Sequence, residues 1–195
     1  MGDNRVKEDV ERLRRSLGDL PLPQIEPPLV VVSGLPGTGK SFLCRTLAER
    51  LDYLVLSSDS LRQTLFLQPK YDDDENRQLF AACHALIEGL LKTGIPIIFD
   101  ATNLLERHRE PLYHICDKAG AKLILVSVEA PEELVQERLL GRQSGIDPED
   151  RSRAGWEVHQ RMKYRKEKIP RNHFVVDTSR DINAAIDKIA RATRK

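Results

Sequence analysis

The sequence predicts an α/β fold in which a parallel sheet is covered by helices on both faces. From residue 29 onward, short aliphatic runs alternate with segments of helical periodicity, which is the pattern of such a sheet. The first run, residues 29–32, is a continuous Leu-Val-Val-Val, as a strand buried on both faces requires. A chain of 195 residues, 40% of them hydrophobic, can bury one core without disulfides. We therefore expect a three-layer domain over residues 29–195, preceded by a helix and linker over residues 1–28.

The elements follow in chain order from periodicity and from capping residues. Residues 3–17 have amphipathic helical spacing, and four prolines make residues 19–28 an extended linker. Gly94 ends a long helix, and two glutamates follow Pro131 in the first turn of another, where the helix dipole favours acids. The predicted strands are 29–32, 53–56, 95–99, 122–128 and 174–176. The predicted helices are 3–17, 41–51, 73–93 and 104–119, and three that begin near Pro131, Asp147-Pro148 and Asp181.

Composition and charge exclude several classes of protein. Lys and Arg total 31 against 30 for Asp and Glu, a net charge of +1, which excludes a wholly basic nucleic-acid coat and an acidic tail. No apolar run approaches the roughly 20 residues that cross a bilayer, and no apolar signal segment follows Met1. The scattered cysteines, Cys44, Cys83 and Cys116, lack metal-ligand spacing and suit reduced thiols. These features predict a cytoplasmic protein.

A glycine-rich loop lies between the first predicted strand and the following helix. Its residues fit the phosphate-binding pattern GxxxxGK[ST] in full. They are Gly34, Leu35, Pro36, Gly37, Thr38, Gly39, Lys40 and Ser41. The glycines let backbone N–H groups wrap a phosphate, and the helix N-terminus adds its positive end. We expect Lys40 to contact the β- and γ-phosphates of ATP and the Ser41 hydroxyl to hold Mg²⁺.

Two carboxylates follow the second and third predicted strands. Asp100 can hold Mg²⁺ or its water shell, although an Asp in this position can also cap the next helix. Asp59 lies where a carboxylate can orient an acceptor hydroxyl and take its proton. Arg62 shares a helical face with Asp59 and could pair with an anionic group on the acceptor. The alternative is a helix N-cap at Ser58 or Asp59 with a solvated Arg62.

Two arginines one helical turn apart precede a loop that contains glycine. Arg138 and Arg142 are followed by the sequence Gln-Ser-Gly. Such a segment, about residues 138–153, is typical of a mobile lid whose arginines close over the nucleotide phosphates and neutralise transition-state charge. The alternative is a surface helix in which both arginines pair with nearby glutamates.

Together these segments resemble the P-loop kinase group that contains the bacteriophage and bacterial polynucleotide 5′-kinases, often described as an AAA-type ATP-binding domain. The resemblance covers about residues 29–180 and depends on residues 34–41, 58–62, 100–103 and 138–142. It implies a P-loop NTPase fold with a five-stranded parallel sheet in the order 2-3-1-4-5 and a helical lid. It also implies that the loop 177–179 helps hold adenine. The implied roles are ATP·Mg²⁺ binding for Lys40 and Ser41, general base for Asp59, acceptor-phosphate contact for Arg62, and donor-phosphate contact for Arg138 and Arg142.

The acceptor is predicted from a basic segment that contains aromatic residues. Residues 151–171 carry eight basic and two acidic residues, with Trp156, His159 and Tyr164 among them, which suits a single-stranded nucleic acid. The alternative is a solvated helix whose Trp156 and Tyr164 pack on the core. Acidic residues 72–75 suit a helix start and would also repel a polyanion.

The sequence therefore predicts an ATP- and Mg²⁺-dependent kinase, with the 5′-hydroxyl of RNA or DNA as the first choice of acceptor. One alternative is a small-molecule kinase that acts on an antibiotic, sugar or nucleotide-sugar hydroxyl. An alternative from another class is a regulatory ATPase or nucleotide-dependent binding module, which would release inorganic phosphate without an acceptor.

Overall fold

The computed structural model describes residues 2–143 and 154–194 and contains one sheet of five parallel strands, in the order β2-β3-β1-β4-β5. The strands are β1 Pro28–Ser33, β2 Leu54–Ser57, β3 Ile97–Asp100, β4 Lys122–Glu129 and β5 Phe174–Asp177. The helices are α1 Gly2–Arg15, α2 Lys40–Leu51, α3 Ser58–Leu65, α4 Asp73–Lys92, α5 Glu106–Ala119, α6 Glu132–Gln143, α7 Trp156–Lys163 and α8 Asn183–Arg194. The predicted fold class and strand order are confirmed.

The differences between predicted and observed boundaries have local causes. The strand predicted from residue 95 begins at Ile97, because the Ile95 N–H still bonds to the Leu90 carbonyl at 3.0 Å and Pro96 has no N–H. Helix α3 is a full element where the sequence suggested only a shared helical face. The helix predicted to begin at Asp147-Pro148 lies outside the described residues.

The alternation of side chains along β1 divides the core into two layers. Leu29 and Val31 pack into a cluster that includes residues of α1, α3, α4 and α5, whereas Val30 and Val32 pack with residues of α2 and α8. All four side chains are fully buried, and each such burial contributes about 1.5–3 kcal/mol. The continuous apolar run thus corresponds to a strand covered on both faces.

The N-terminal helix α1 belongs to the layer that contains α3, α4 and α5. Leu13 is fully buried in that cluster. Gln78 of α4 donates a hydrogen bond to the buried carboxylate of Asp9 at 2.6 Å. These contacts hold α1 against α4. The predicted division into residues 1–28 and a domain over residues 29–195 stays a prediction.

The parallel register brings the carboxyl ends of the central strands to one edge of the sheet. Val32 of β1 pairs with Asp100 of β3, and Asp100 pairs with Ser57 of β2. Ligands bind at this edge in open α/β sheets. The glycine-rich loop, the Asp100 carboxylate and the start of α3 therefore share one region.

Two predictions from composition can be compared with the structure. Cys44, Cys83 and Cys116 are buried free thiols. Burial raises the pKa of Cys83 and of Cys116 to about 12, and it raises the pKa of Cys44 well above its ordinary value. The thiols are therefore protonated near neutral pH. Across residues 2–143 and 154–194, no helix has the length and hydropathy needed to span a bilayer.

Candidate active site

The glycine-rich loop, residues 34–41, forms a tight turn between β1 and α2. Gly37 has a φ of 84°, in the left-handed region that favours glycine. The Thr38 hydroxyl and the Lys40 ammonium both donate to the Leu35 carbonyl, at 2.8 and 3.0 Å. The Lys40 charge thus lies within the loop, which the sequence pattern predicts to bind phosphate.

The two predicted metal ligands lie side by side. The Ser41 hydroxyl donates to Asp100 Oδ2 at 2.7 Å, and Asp100 is buried. The next helix, α5, has Leu105 as its N-cap, so Asp100 does not cap it. Hydroxyl and carboxylate oxygens are the ligands that Mg²⁺ prefers, usually completed by substrate phosphates and water. Among the described residues, no group of three or more His, Cys, Asp and Glu side chains is arranged to hold a metal ion.

Asp59 lies in the first turn of α3, directly after β2. The N-cap of α3 is Ser57, which makes no side-chain capping hydrogen bond, so neither Ser58 nor Asp59 is the cap. Because Ser57 pairs with Asp100 in the sheet, the half-buried Asp59 lies at the same sheet edge as the metal ligands. Its role as a base stays a prediction.

Arg62 differs from its sequence-based interpretation. Its side chain is only 6% exposed and forms an ion pair with Glu75 of α4. Its Nη2 donates to Asn76 Oδ1 at 2.6 Å, and its Cζ lies 4.7 Å from the centroid of the Tyr71 ring. The side chain is neither solvated nor accessible to an acceptor, because the first turn of α4 packs the Glu75 carboxylate against it. A contact with an acceptor phosphate would require this pair to open.

Arg138 is docked on the loop that follows β5. Its Nη1 and Nη2 donate to the hydroxyl and carbonyl of Thr178 at 2.9 and 3.0 Å. The Thr178 hydroxyl donates in turn to the Thr38 carbonyl at 2.7 Å. The predicted lid helix is therefore linked to the glycine-rich loop. The backbone of Arg142 continues α6, while its side chain and residues 144–153 lie outside the described part of the structure.

His159, predicted only as one of the rings of the basic segment, contacts the glycine-rich loop. The buried His159 has its Nδ1 2.8 Å from the Pro36 carbonyl, and since a carbonyl only accepts, Nδ1 is the protonated nitrogen. Trp156 stacks on the imidazole, with ring centroids 5.1 Å apart and planes 8° apart. The spacing of three between Trp156 and His159 was the available signal, since it places both on one helical face.

Arg109 is a second residue that the sequence did not single out. It is completely buried and donates to the carbonyls of Asn103 and Lys168 at 2.7 and 3.1 Å. Glu106 accepts from its Nε and Nη2 at 2.9 and 2.7 Å. Arg109 thus ties the loop after β3 to the basic segment after α7. In the sequence it stands in a charged run typical of a solvated helix face.

The basic segment is partly neutralised by neighbouring acids. Lys163 pairs with Glu132 at 2.5 Å, and Lys166 pairs with Glu129 at 2.9 Å. The hydrogen bond from Lys163 lowers the pKa of Glu132. Tyr164 is 87% exposed, so it does not pack on the core. Residues 151–153 of this segment lie outside the described residues.

Comparisons with known proteins agree with this fold. A family model described as an AAA domain matches residues 29–169. The structure resembles Kti12 from Chaetomium thermophilum in complex with ADP-AlF3, with 22% identity, a TM-score of 0.69, and coverage of 85% of this chain and 99% of that one. It also resembles the APS kinase CysC of Mycobacterium tuberculosis in complex with AMPPNP and APS, at 16% identity and a TM-score of 0.67, covering 89% and 100%.

A gluconokinase from Sinorhizobium meliloti 1021 is similar at 22% identity and a TM-score of 0.57, covering 87% of this chain and 91% of that one. A comparison with curated protein sequences gave no match. At these identities the likeness concerns the fold, which is that of P-loop kinases.

Proposed function

We propose that this chain, a member of the AAA domain family with a P-loop kinase-like fold, transfers the γ-phosphate of ATP to a hydroxyl group. The proposal is carried by one observation: the Ser41 hydroxyl and the Asp100 carboxylate are hydrogen-bonded beside the glycine-rich loop. That pair gives the oxygen ligands that a nucleotide-bound Mg²⁺ uses.

On the donor side, the backbone N–H groups of the loop bind the phosphates of ATP. Lys40 leaves the Leu35 carbonyl and contacts the β- and γ-phosphates. Arg138 leaves Thr178 and, together with Arg142, neutralises the charge that develops on the transferred group. Mg²⁺, when held by Ser41 and Asp100, supplies charge neutralisation at the phosphate oxygens.

On the acceptor side, Asp59 is the base. Its carboxylate accepts the proton of the acceptor hydroxyl as that oxygen forms a bond to the γ-phosphorus. The bond from the γ-phosphorus to the oxygen that bridges it to the β-phosphate breaks, and ADP leaves with that electron pair. The products are a phosphate monoester, ADP and a protonated Asp59 that returns its proton to water.

The test is label transfer from γ-labelled ATP to a panel of nucleosides, sugars, other alcohols and 5′-hydroxyl oligonucleotides. Asp59→Asn should reduce transfer about 10²–10⁴-fold, or about 3–5 kcal/mol in the barrier, while ATP binding measured by calorimetry persists. Asp52→Asn is a matched control, because Asp52 is exposed and its positive φ of 53° is one that Asn tolerates. Normal transfer by Asp59→Asn would show that another group is the base.

A small-molecule hydroxyl is the acceptor class that the surroundings of Asp59 favour, because the buried Arg62 is paired with Glu75 rather than open to a phosphate. A polynucleotide 5′-hydroxyl is the second candidate. It is favoured by the exposed cations Arg161, Arg165 and Lys168 and the exposed ring of Tyr164. Oligonucleotide phosphorylation would fall steeply with salt, whereas turnover of a neutral alcohol would change little.

A regulatory ATPase would give a different result in the same assay. It would release labelled inorganic phosphate steadily with no acceptor labelled, and Asp59→Asn would leave that release unchanged. This pattern would overturn the kinase proposal.

A further inference from the structure

Arg62, one helical turn along α3 from Asp59, is held by the segment that starts α4. Glu75 pairs with its Nη1, Asn76 Oδ1 accepts from its Nη2 at 2.6 Å, and the Tyr71 ring covers the guanidinium. Its Nε–H is buried and has no partner among the described residues. A single N–H cannot form the bidentate hydrogen bonds by which a guanidinium group binds phosphate. In this arrangement Arg62 offers no phosphate site.

Glu75 is fixed as firmly as Arg62. Its carboxylate accepts from the backbone N–H groups of Lys70 and Tyr71 at 2.6 and 3.2 Å, and its own N–H donates to the Asp72 carboxylate at 2.8 Å. Burial acts to raise the pKa of Glu75, but the hydrogen bonds from Lys70, Arg62 and Tyr71 outweigh burial and lower it. Glu75 is therefore ionised at neutral pH. Moving Arg62 to another anion would leave a buried carboxylate without its counter-charge.

The cavity beside this pair offers no net positive charge to a phosphate. It has a volume of about 520 Å³, and its charged lining residues are Arg5, Lys70, Asp72, Asp74 and Glu75. Because Arg62 already neutralises Glu75, the other two carboxylates balance the two cations. Neutral hydroxyl groups can still donate hydrogen bonds to the carboxylates.

We propose that Glu75 determines acceptor specificity. By neutralising Arg62 behind Asp59, it restricts the kinase to acceptors whose reacting hydroxyl has no phosphate beside it, such as a free sugar or another neutral polyol. This inference rests on the proposed function and names its substrate class.

The first experiment compares matched acceptors that share a hydroxyl and differ by one phosphate: adenosine with adenosine 3′-phosphate, and free sugars with their phosphate esters. The wild-type protein should have the higher kcat/KM on the phosphate-free member of each pair. Glu75→Gln should raise the relative kcat/KM on the phosphate-bearing member at least tenfold. Glu88→Gln is the control, since it makes the same substitution at a paired glutamate near the other end of α4 and should leave the ratio unchanged.

The second experiment measures the binding of inorganic phosphate while AMPPNP saturates the glycine-rich loop. Glu75→Gln should bind phosphate at least tenfold more tightly than the wild type. The double variant Arg62→Met/Glu75→Gln removes both buried charges together, which avoids an unpaired ion if Glu75→Gln alone folds poorly. It should lack the gain in phosphate binding and retain the wild-type acceptor ratio within threefold.

Each adverse outcome has a distinct meaning. If Glu75→Gln gains no phosphate binding, or if the wild type has the higher kcat/KM on the phosphate-bearing member of the pairs, the specificity inference is wrong and the kinase proposal stands. If the wild type labels no acceptor while it hydrolyses ATP, the kinase proposal is wrong and the specificity inference falls with it.

Discussion

A methyl group added at Gly37 should destabilise the protein by an amount that the structure lets us divide into two parts. The φ of 84° costs an alanine about 1–2 kcal/mol. The added Cβ would lie 2.8 Å from Val135 Cγ1 and 2.9 Å from Leu139 Cγ, and relieving such overpacking costs about 1–3 kcal/mol. Gly37→Ala should therefore lower the free energy of unfolding by about 2–5 kcal/mol. It should also weaken ATP binding, because α6 must move away from the loop.

Gly120 provides the matched control. Its φ is 62°, but nothing lies within 4 Å of an added Cβ, so Gly120→Ala carries the backbone cost alone. The free energies of unfolding of the two variants should differ by about 1–3 kcal/mol, which corresponds to about 2–12 °C in Tm for a chain of this size. Calorimetric melting and ATP titration of both variants test this. Equal losses of Tm, with ATP affinity unchanged in both, would refute the steric contribution of α6.

Two further predictions use single reporters. Trp156 is the only tryptophan, and it stacks on His159, which contacts the Pro36 carbonyl of the glycine-rich loop. Titration with Mg²⁺·ATP should therefore change the tryptophan fluorescence until the site is saturated. Saturation seen by calorimetry without a change in emission would contradict this coupling. Burial lowers the pKa of His84 from 6.5 to about 4, so between these pH values the unfolded chain binds a proton that the folded chain does not. The free energy of unfolding should therefore fall by up to about 3 kcal/mol as the pH falls from 6.5 to 4. His84→Leu should flatten that slope in urea titrations, whereas the exposed His173→Leu should not; identical slopes in all three proteins would exclude His84 as the cause.

Most elements of the fold were predictable because their signals are local. The apolar run of residues 29–32 describes a doubly covered strand without reference to any other segment. The acidic residues 72–75 also indicated a helix start correctly, and the structure adds a cap in which the Asp72 side chain accepts from the Glu75 N–H at 2.8 Å. Local patterns of this kind need only the nearest few residues.

The partners of charged groups were less predictable, because they depend on how helices pack. Arg62 and Glu75 are separated by 13 positions and meet only when α3 and α4 lie side by side. Several carboxylates near residue 75 could have formed the pair, and the sequence does not distinguish them. His159 and Pro36 are 123 positions apart, so no spacing rule connects them.

The contacts of the glycine-rich loop fix the orientation of two of its peptide groups. The Pro36 carbonyl accepts from His159, and the Thr38 carbonyl accepts from Thr178. In a planar trans peptide the carbonyl and the following N–H point in opposite directions. Fixing these two carbonyls toward α7 and the loop after β5 therefore turns the N–H groups of residues 37 and 39 to the other side. The late segments of the chain thus orient the N–H groups that, in the proposed function, donate to the phosphates of ATP.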